Sequence, residues 1–546
     1  MPVQFLCFLT VIKVGCGDSD IRTQIFWSCS KHSKMLNILP TWIDCIVLMI
    51  VFSWLKLLQQ RKSPNYPPGP KGYPLIGNML EMMVSEMWEV ARKWRSSYGE
   101  FIYLKSLNQT VFVINSYEIA VELLEKRSLN YSDRPSTITL SELQQWDWAF
   151  TMKPYGEEWR RLRAPLQKFF DPANLAQLDN VLEYEAEKLL HNLIRSPGDY
   201  EMHVRTAVAS FIMTTIYGHE VTTSDDPSVN LAKEGVEQVS LALRPGEYLV
   251  DILPWLKYVP KWFPGAGFQV IAERAAKLSH DTRRLPFIEA RDKIISGKST
   301  SSSLTEQEIE RCQKVGGLLS EEDEDRISSM SGVGYLAGGD TSFAAIMSLL
   351  LAMIAFPEVQ KRAQAEIDEV VGTDRLPKLS DRMQLPYCMA MCKEVNRWNP
   401  VIPFGLAHLS KRDDTYNGYF IPAKSIMLPN QWAMLHDPEE YPEPSIFRPE
   451  RFLPGIGERV QRDPAKVAFG FGRRICPGRF MAENTVFIMA VQILAVFDIC
   501  KALNDKGEVI EPEVKFTHDG VARYPLPFEC AIKPRSREAI ELLREE

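Results

Sequence analysis

Phe469-Gly470-Phe471-Gly472-Arg473-Arg474-Ile475-Cys476-Pro477-Gly478 decides how this chain is read. Helical apolar spacing resumes right after it, over about 478–495, so Cys476 stands just ahead of a helix. Pro477 takes the first-turn position that proline favours. The helix start offers amide donors and the positive end of a dipole, which a thiolate needs to hold its charge. Gly472 and Gly478 permit tight backbone turns, and Arg474 can reach a carboxylate. The pattern speaks for a stabilised thiolate and against an inert buried thiol.

Three further stretches lie upstream. Ala337-Gly338-Gly339-Asp340-Thr341-Ser342 interrupts a long apolar helix expected over about 326–355. Two glycines and a polar triplet are poor helix material, so a break is expected there. Glu394 and Arg397 in Glu394-Val395-Asn396-Arg397 are three apart and share one face of a helix over 386–397. Trp159-Arg160-Arg161-Leu162-Arg163 falls in a helix over 157–170, and Phe447-Arg448-Pro449-Glu450-Arg451-Phe452 follows the 386–397 helix.

Together these resemble the cytochrome P450 family. The cysteine stretch fits its haem loop FxxGxRxCxG at every position. The others fit its oxygen groove (A/G)GxDT, with Ser342 in place of a second Thr, its ExxR, its PERF segment and its WxxxR. The resemblance covers roughly 67 to 535 and is closest in texture to eukaryotic microsomal, fungal (basidiomycete-like) members. It implies a mostly α fold with small β-sheets, one large domain, behind an N-terminal transmembrane anchor. It implies haem b with Cys476 as axial thiolate, Phe469 and Gly478 shaping the loop, and Arg134, Trp159, Arg163, His408 and Arg474 toward the haem carboxylates. Thr341 would handle dioxygen and Asp340 would relay protons. Glu394, Arg397 and Arg451 would form a buried structural triad.

Composition agrees with a folded body. Of 546 residues 45% are hydrophobic and 24% charged, which excludes a disordered chain, a collagen or a rod. With 63 basic against 70 acidic residues the net charge is −7, so no basic excess argues for nucleic acid. Ten cysteines without a CxxC pair make neither a disulfide framework nor a zinc ribbon; Cys388 and Cys392 read as core.

Residues 36–55 hold one charge, Asp44, and are long enough to cross a bilayer, with Lys56, Arg61 and Lys62 behind them. The expected organisation is a leader of doubtful status over 1–34, an anchor over 35–58, a basic and Pro-rich hinge over 59–74, and a catalytic domain over 75–546. The endoplasmic reticulum membrane is expected, single-pass, with the body cytosolic and the sequons at Asn108 and Asn130 unused.

Along the body, 100–115 reads as a hairpin and 296–325 as an exposed Ser-rich, acidic connector. Pro245 to Gly267, with Trp255, Trp262 and Phe263, reads either as a buried loop or as a membrane interface. Pocket residues are expected from 136–152, 211–217, 241–250, 333–341 and 401–406, with Trp146, Trp148, Phe150, Tyr335, Phe343 and Phe404 making the pocket bulky and apolar. The expected function is a haem-thiolate monooxygenase using dioxygen and a hydrophobic substrate such as a terpenoid, steroid, polyketide or aromatic xenobiotic. The setting is secondary metabolism or detoxification. No flavin or nicotinamide fingerprint is present, so electrons would come from a separate NADPH–cytochrome P450 reductase, with cytochrome b5 as a possible second donor. A haem-thiolate isomerase or dehydratase, or a haem sensor, is the alternative; the Asp340-Thr341 pair argues against the isomerase.

Overall fold

The computed structural model describes residues 49–50 and 64–543, except 108, 222, 224, 245, 300, 301, 456–458 and 519. The leader, the anchor and the start of the hinge therefore lie outside the described residues, as does Asn108. The body from Pro64 onward is one compact unit.

Its longer helices are α1 (Met87–Tyr98), α2 (Glu157–Phe169), α3 (Asp179–Arg195), α4 (Tyr200–Tyr217), α5 (Pro227–Ala242), α6 (Gly267–Ile295), α7 (Leu304–Gly316), α8 (Glu321–Ala355), α9 (Pro357–Val370), α10 (Pro386–Trp398), the short α11 (Gln431–Leu435) and α12 (Arg479–Val496). The strands are β1 (Phe101–Ser106), β2 (Gln109–Ile114), β3 (His408–Leu409), β4 (Asp414–Tyr416), β5 (Tyr419–Ile421), β6 (Ile426–Pro429), β7 (Phe497–Lys501) and β8 (Cys530–Pro534). The largest sheet runs β1-β2-β6-β3, with β2 and β6 parallel and the other pairs antiparallel. The class is mostly α with small sheets, as expected.

α8 is the axis of the body, and it runs unbroken through Ala337–Ser342, so the break expected there does not form: packing on the neighbouring helices overrides the low propensity of the two glycines. It packs against α4, α2, α10 and α12, and its side chains from Ala344 to Ile354 are buried all round. Among the described residues α8 and α12 are long and apolar enough to cross a membrane, but both are mostly covered by the rest of the body and serve as core helices.

The connector expected over 296–325 is instead partly helical. Ser303 caps α7 by accepting from the Glu306 backbone N–H at 3.2 Å, and Leu304 and Ile309 are buried. The acidic run Glu321–Asp325 is the first turn of α8, where carboxylates meet the helix dipole and the arginines of α6: Arg284 and Arg291 reach Glu324 at 3.2 and 2.8 Å. The described end of the hinge, 64–74, lies on the sheet: Tyr66 stacks on Tyr103 with ring centroids 4.4 Å apart, and the Tyr103 N–H donates to the Pro68 carbonyl at 3.1 Å.

Candidate active site

The Cys476 loop is built by two glycines in the left-handed region and by one hydrogen bond. Gly470 and Gly472 have φ of 79° and 56°. A Cβ on Gly472 would lie 2.1 Å from the Leu124 carbonyl oxygen, so no side chain fits there. The Cys476 N–H donates to the Phe469 carbonyl at 2.8 Å and closes the turn. α12 begins three residues later at Arg479. The thiol opens on a cavity of about 1550 Å³, counting the part open to solvent. Burial pushes its pKa up; the Gly478 N–H and the Arg163 and Arg479 charges work against that rise.

The cavity lies between that loop, α8, α2, α10 and the stretch from Val401 to His408. Arg134, Trp159, Arg163, His408, Phe469, Arg474, Gly478, Thr341 and Cys476 all line it, so the chain brings together nine residues that its motifs single out. Arg134, Arg163 and Arg474 are buried, and no ion pair to any of them exists among the described residues. Backbone carbonyls hold them. Arg134 Nη1 donates to Leu406 O and Ala407 O at 2.8 and 2.6 Å, Arg474 Nε to Ser132 O at 2.7 Å, and Arg163 Nη2 to Ile475 O. The Trp159 ring lies 5.2 Å from the Arg163 guanidinium and 4.8 Å from that of Arg474. Desolvation lowers Arg163 and Arg474 to about 10 each, and Arg134 is depressed by burial and by those two like charges.

Buried cations without a counter-ion are rare, because desolvation costs several kcal/mol per ion, on the order of the whole stability of a domain. This cluster therefore fits an anionic group. Haem b brings two carboxylates, which would give these guanidiniums the anionic partners they lack. His408 Nδ1 faces the Tyr131 carbonyl at 2.7 Å, which fixes that nitrogen as the donor. Burial and Arg134 hold its pKa well below the usual imidazole range, so His408 donates to a carboxylate from Nε2 only after taking up a proton.

Thr341 and Asp340 part company. Thr341 lines the cavity and its hydroxyl donates to the Ala337 carbonyl at 2.8 Å. Asp340 lines a second, smaller cavity between α4, α5 and α8, with Arg205 Nη1 3.1 Å from its Oδ1. Burial raises its pKa against the pull of Arg205 and Tyr524. The neighbouring Ser342 hydroxyl is buried in the main cavity wall without a partner among the described residues.

Glu394, Arg397 and Arg451 stand apart from the cavity lining. Arg397 grips Glu394 through two bonds of 2.8 and 2.9 Å, and Arg451 Nε reaches the same carboxylate at 3.2 Å. None of the three side chains is exposed.

Of the aromatics expected in the pocket only Phe150 lines it. Trp146 and Trp148 are core residues, Tyr335 and Phe343 line the second cavity, and Phe404 packs on Trp88. No residue of 211–217 or 241–250 lines the main cavity. Besides Phe150, Trp159, Phe170 and Phe469 its walls are mostly small and aliphatic: Val333, Gly334, Ala337, Gly338, Val401, Ile402 and Leu406.

The comparisons agree with this geometry. The family model described as Cytochrome P450 matches residues 67–527. Cytochrome P450 monooxygenase 208 of Postia placenta is 38% identical over 94% of this chain and 98% of its own. Cytochrome P450 monooxygenase COX2 of Coprinopsis cinerea is 39% identical over 87% and 90%, and ple1 of Rhodocybe pseudopiperita 38% over 89% and 92%. The family carries haem on a cysteine thiolate, and its relatives here are fungal monooxygenases. A match across the whole body, on top of a cysteine loop facing unpaired buried arginines, makes this chain an oxidoreductase of the monooxygenase type and a member of the cytochrome P450 family.

Proposed function

We propose that the chain inserts one atom of dioxygen into a hydrophobic organic substrate, of terpenoid, steroid, polyketide or aromatic xenobiotic type, in fungal secondary metabolism or detoxification. The single observation that carries this reading is the Cys476 thiol in the wall of a largely aliphatic cavity whose only charges are buried arginines. Bound haem supplies the oxygen chemistry and the push of a thiolate ligand.

The residues around it have separate tasks. Cys476 Sγ is the ligand. Arg134, Arg163, Arg474 and protonated His408 hold the carboxylates, Trp159 keeps two of those guanidiniums in place, and Phe469 and Gly478 shape the loop. The aliphatic wall excludes water and orients the substrate by shape, without a charge to select for one. The Thr341 hydroxyl, held by the Ala337 carbonyl, moves a proton at the oxygen end of the cavity. Asp340 resupplies it from the Arg205 side when that ion pair opens. Glu394, Arg397 and Arg451 keep α10 and the Phe447–Phe452 stretch in register under the loop.

Electrons come from an NADPH–cytochrome P450 reductase, with cytochrome b5 as a second donor. Lys466 and Arg473 are exposed beside the Cys476 loop and suit an acidic partner face. The body is held at the endoplasmic reticulum membrane on its cytosolic side by the 35–58 anchor, with 75–546 carrying the catalysis. An apolar patch supports a second contact: Trp255, Trp262, Phe263 and Tyr258 are 52–80% exposed, so the Pro245–Gly267 stretch is not a buried loop. Asn130 is bonded both ways to the Arg412 backbone, at 3.2 and 2.8 Å, which ties its side chain to the body.

The test is turnover with purified reductase, NADPH and labelled dioxygen. Apolar compounds that shift the haem absorption band are tried first. One labelled oxygen atom in the product, at the expense of NADPH, is expected. Product formed without NADPH would favour the isomerase instead.

A further inference from the structure

The cavity holds one buried amide that the roles above leave unused. Gln431, the first residue of α11, is 2% exposed and lines the cavity. Among the described residues its Oε1 is buried without a hydrogen-bond partner, and no hydrogen bond from its Nε2 is found. A buried amide left open in this way is unusual in a folded protein and calls for an explanation in what the cavity receives. An amide's two ends are assigned by their neighbours, so the side chain can turn Nε2 to whatever acceptor arrives.

Its place in the cavity is defined. A Cβ on Gly405 would stand 3.0 Å from Gln431 Nε2, so the amide lies against that glycine. Gly405 directly precedes Leu406 and Ala407, whose carbonyls hold Arg134, and His408 follows them. The backbone under Gln431 is pinned: Asn430 Nδ2 donates to Trp88 O and Asn115 Oδ1, both at 2.8 Å, and its Oδ1 accepts from Ala433 N–H at 3.1 Å. The amide thus stands with the guanidiniums, on a rigid turn, in a part of the cavity that already gathers donors for an anion.

We infer that Gln431 Nε2 donates to the haem carboxylate at the Arg134 end. This rests on the haem reading above. An amide suits this position because it adds a donor without adding charge beside the three guanidiniums and His408. Gln431 is then a cofactor-positioning residue that no motif marks.

The experiment compares the full-length haem-loaded protein with Gln431→Met, Gln431→Leu, Gln431→Glu and, as a control, Arg134→Leu. It reads the rate at which ferric haem passes to excess apomyoglobin, and the ferric/ferrous midpoint potential. The two apolar variants should release haem about tenfold faster than the parent, as loss of one hydrogen bond to a charged group predicts. Either one suffices if the other does not fold. Gln431→Glu should release it faster still and have a lower midpoint potential, because a carboxylate there opposes the haem carboxylates and favours the ferric state. With ferric etioporphyrin, in which alkyl groups replace both carboxylates, the difference between parent and Gln431→Met should vanish. Parental release from both apolar variants, or a difference that persists with ferric etioporphyrin, overturns the inference. If Arg134→Leu is also neutral, the assignment of this end of the cavity to haem carboxylates falls with it.

Discussion

Asp340 and Arg205 meet at 3.1 Å across the α8–α4 contact, on the second cavity, while the adjacent Thr341 faces the main one. One turn of α8 thus presents an acid to one space and an alcohol to another. Gly338 makes the close approach possible: a Cβ there would lie 2.7 Å from Ile212 Cδ1 of α4. In the proposed relay the acid would have to be released by this partner before it served the main cavity.

That pairing has a pH signature. Burial raises the Asp340 pKa and Arg205 opposes the rise, so Arg205→Met raises it further. A raised carboxyl pKa favours the protonated folded state, so stability is lost as pH climbs from the ordinary carboxylate value through the raised one. Arg205→Met should therefore be closer to the parent at pH 5 than at pH 8, with a deficit of roughly 1–3 kcal/mol at pH 8 for a partly buried pair. Urea denaturation at the two pH values measures it. An equal deficit at both would show that Asp340 does not respond to Arg205.

Two glycines of the cysteine loop should behave differently. Gly472→Ala forces a methyl against the Leu124 carbonyl at a positive φ, and little haem-loaded protein should accumulate. Gly478→Ala meets only Met481 Cε of the chain, at 3.9 Å, and at an ordinary φ of −90° it should fold as the parent does and lose far less haem than Gly472→Ala. Haem-to-protein absorbance ratios of the two purified variants decide this; a normal Gly472→Ala would mean that the loop is not held against Leu124.

The proposed membrane attachment would divide into two contributions. Removing 1–34 should leave it intact, and removing 1–62 should release the body in part. Adding Trp255→Ser, Trp262→Ser and Phe263→Ser to the longer deletion should release the rest, because a spanning helix and an interfacial patch are separable anchors. Flotation on liposomes reads each step. Full release on removing 1–34 alone would contradict the anchor assignment.

Thr341→Ala should fold and take up haem as the parent does, since alanine is the better helix former and the hydroxyl bonds only its own helix. Its loss should show as hydrogen peroxide released in place of product, with product per NADPH down by up to 10²-fold, at the low end of the range for a lost proton-transfer group because water substitutes in part. Peroxide and product are quantified together. Unchanged coupling would leave Thr341 as a helix residue.

The cysteine loop and the triad were legible because each needs particular residue types at fixed spacing. Gly472 has to be glycine to pass Leu124, and Glu394 and Arg397 have to be three apart to share a face. The cavity wall was not legible. Bulky aromatics such as Trp146 and Phe343 looked like pocket residues, but large apolar side chains fill any core equally well, and here they do. α4 gave no period because it is buried on nearly every side, from Val204 and Ala207 to Phe211 and Ile216. α7 had a signal in Ser303-Leu304-Thr305-Glu306, an N-cap with an acid three residues on, which the serine-rich surroundings hid. Gln431 carries no signal in the chain; only the folded cavity shows its amide unpaired.

The claim on which the rest depends is that Cys476 Sγ is the haem ligand, and the carbon-monoxide difference spectrum of the reduced protein tests it most directly. The parent should show the long-wavelength Soret band that thiolate ligation produces, and Cys476→Ala should lack it, even where haem is retained by Arg134, Arg163 and Arg474. A Cys476→Ala protein that keeps that band would contradict the account.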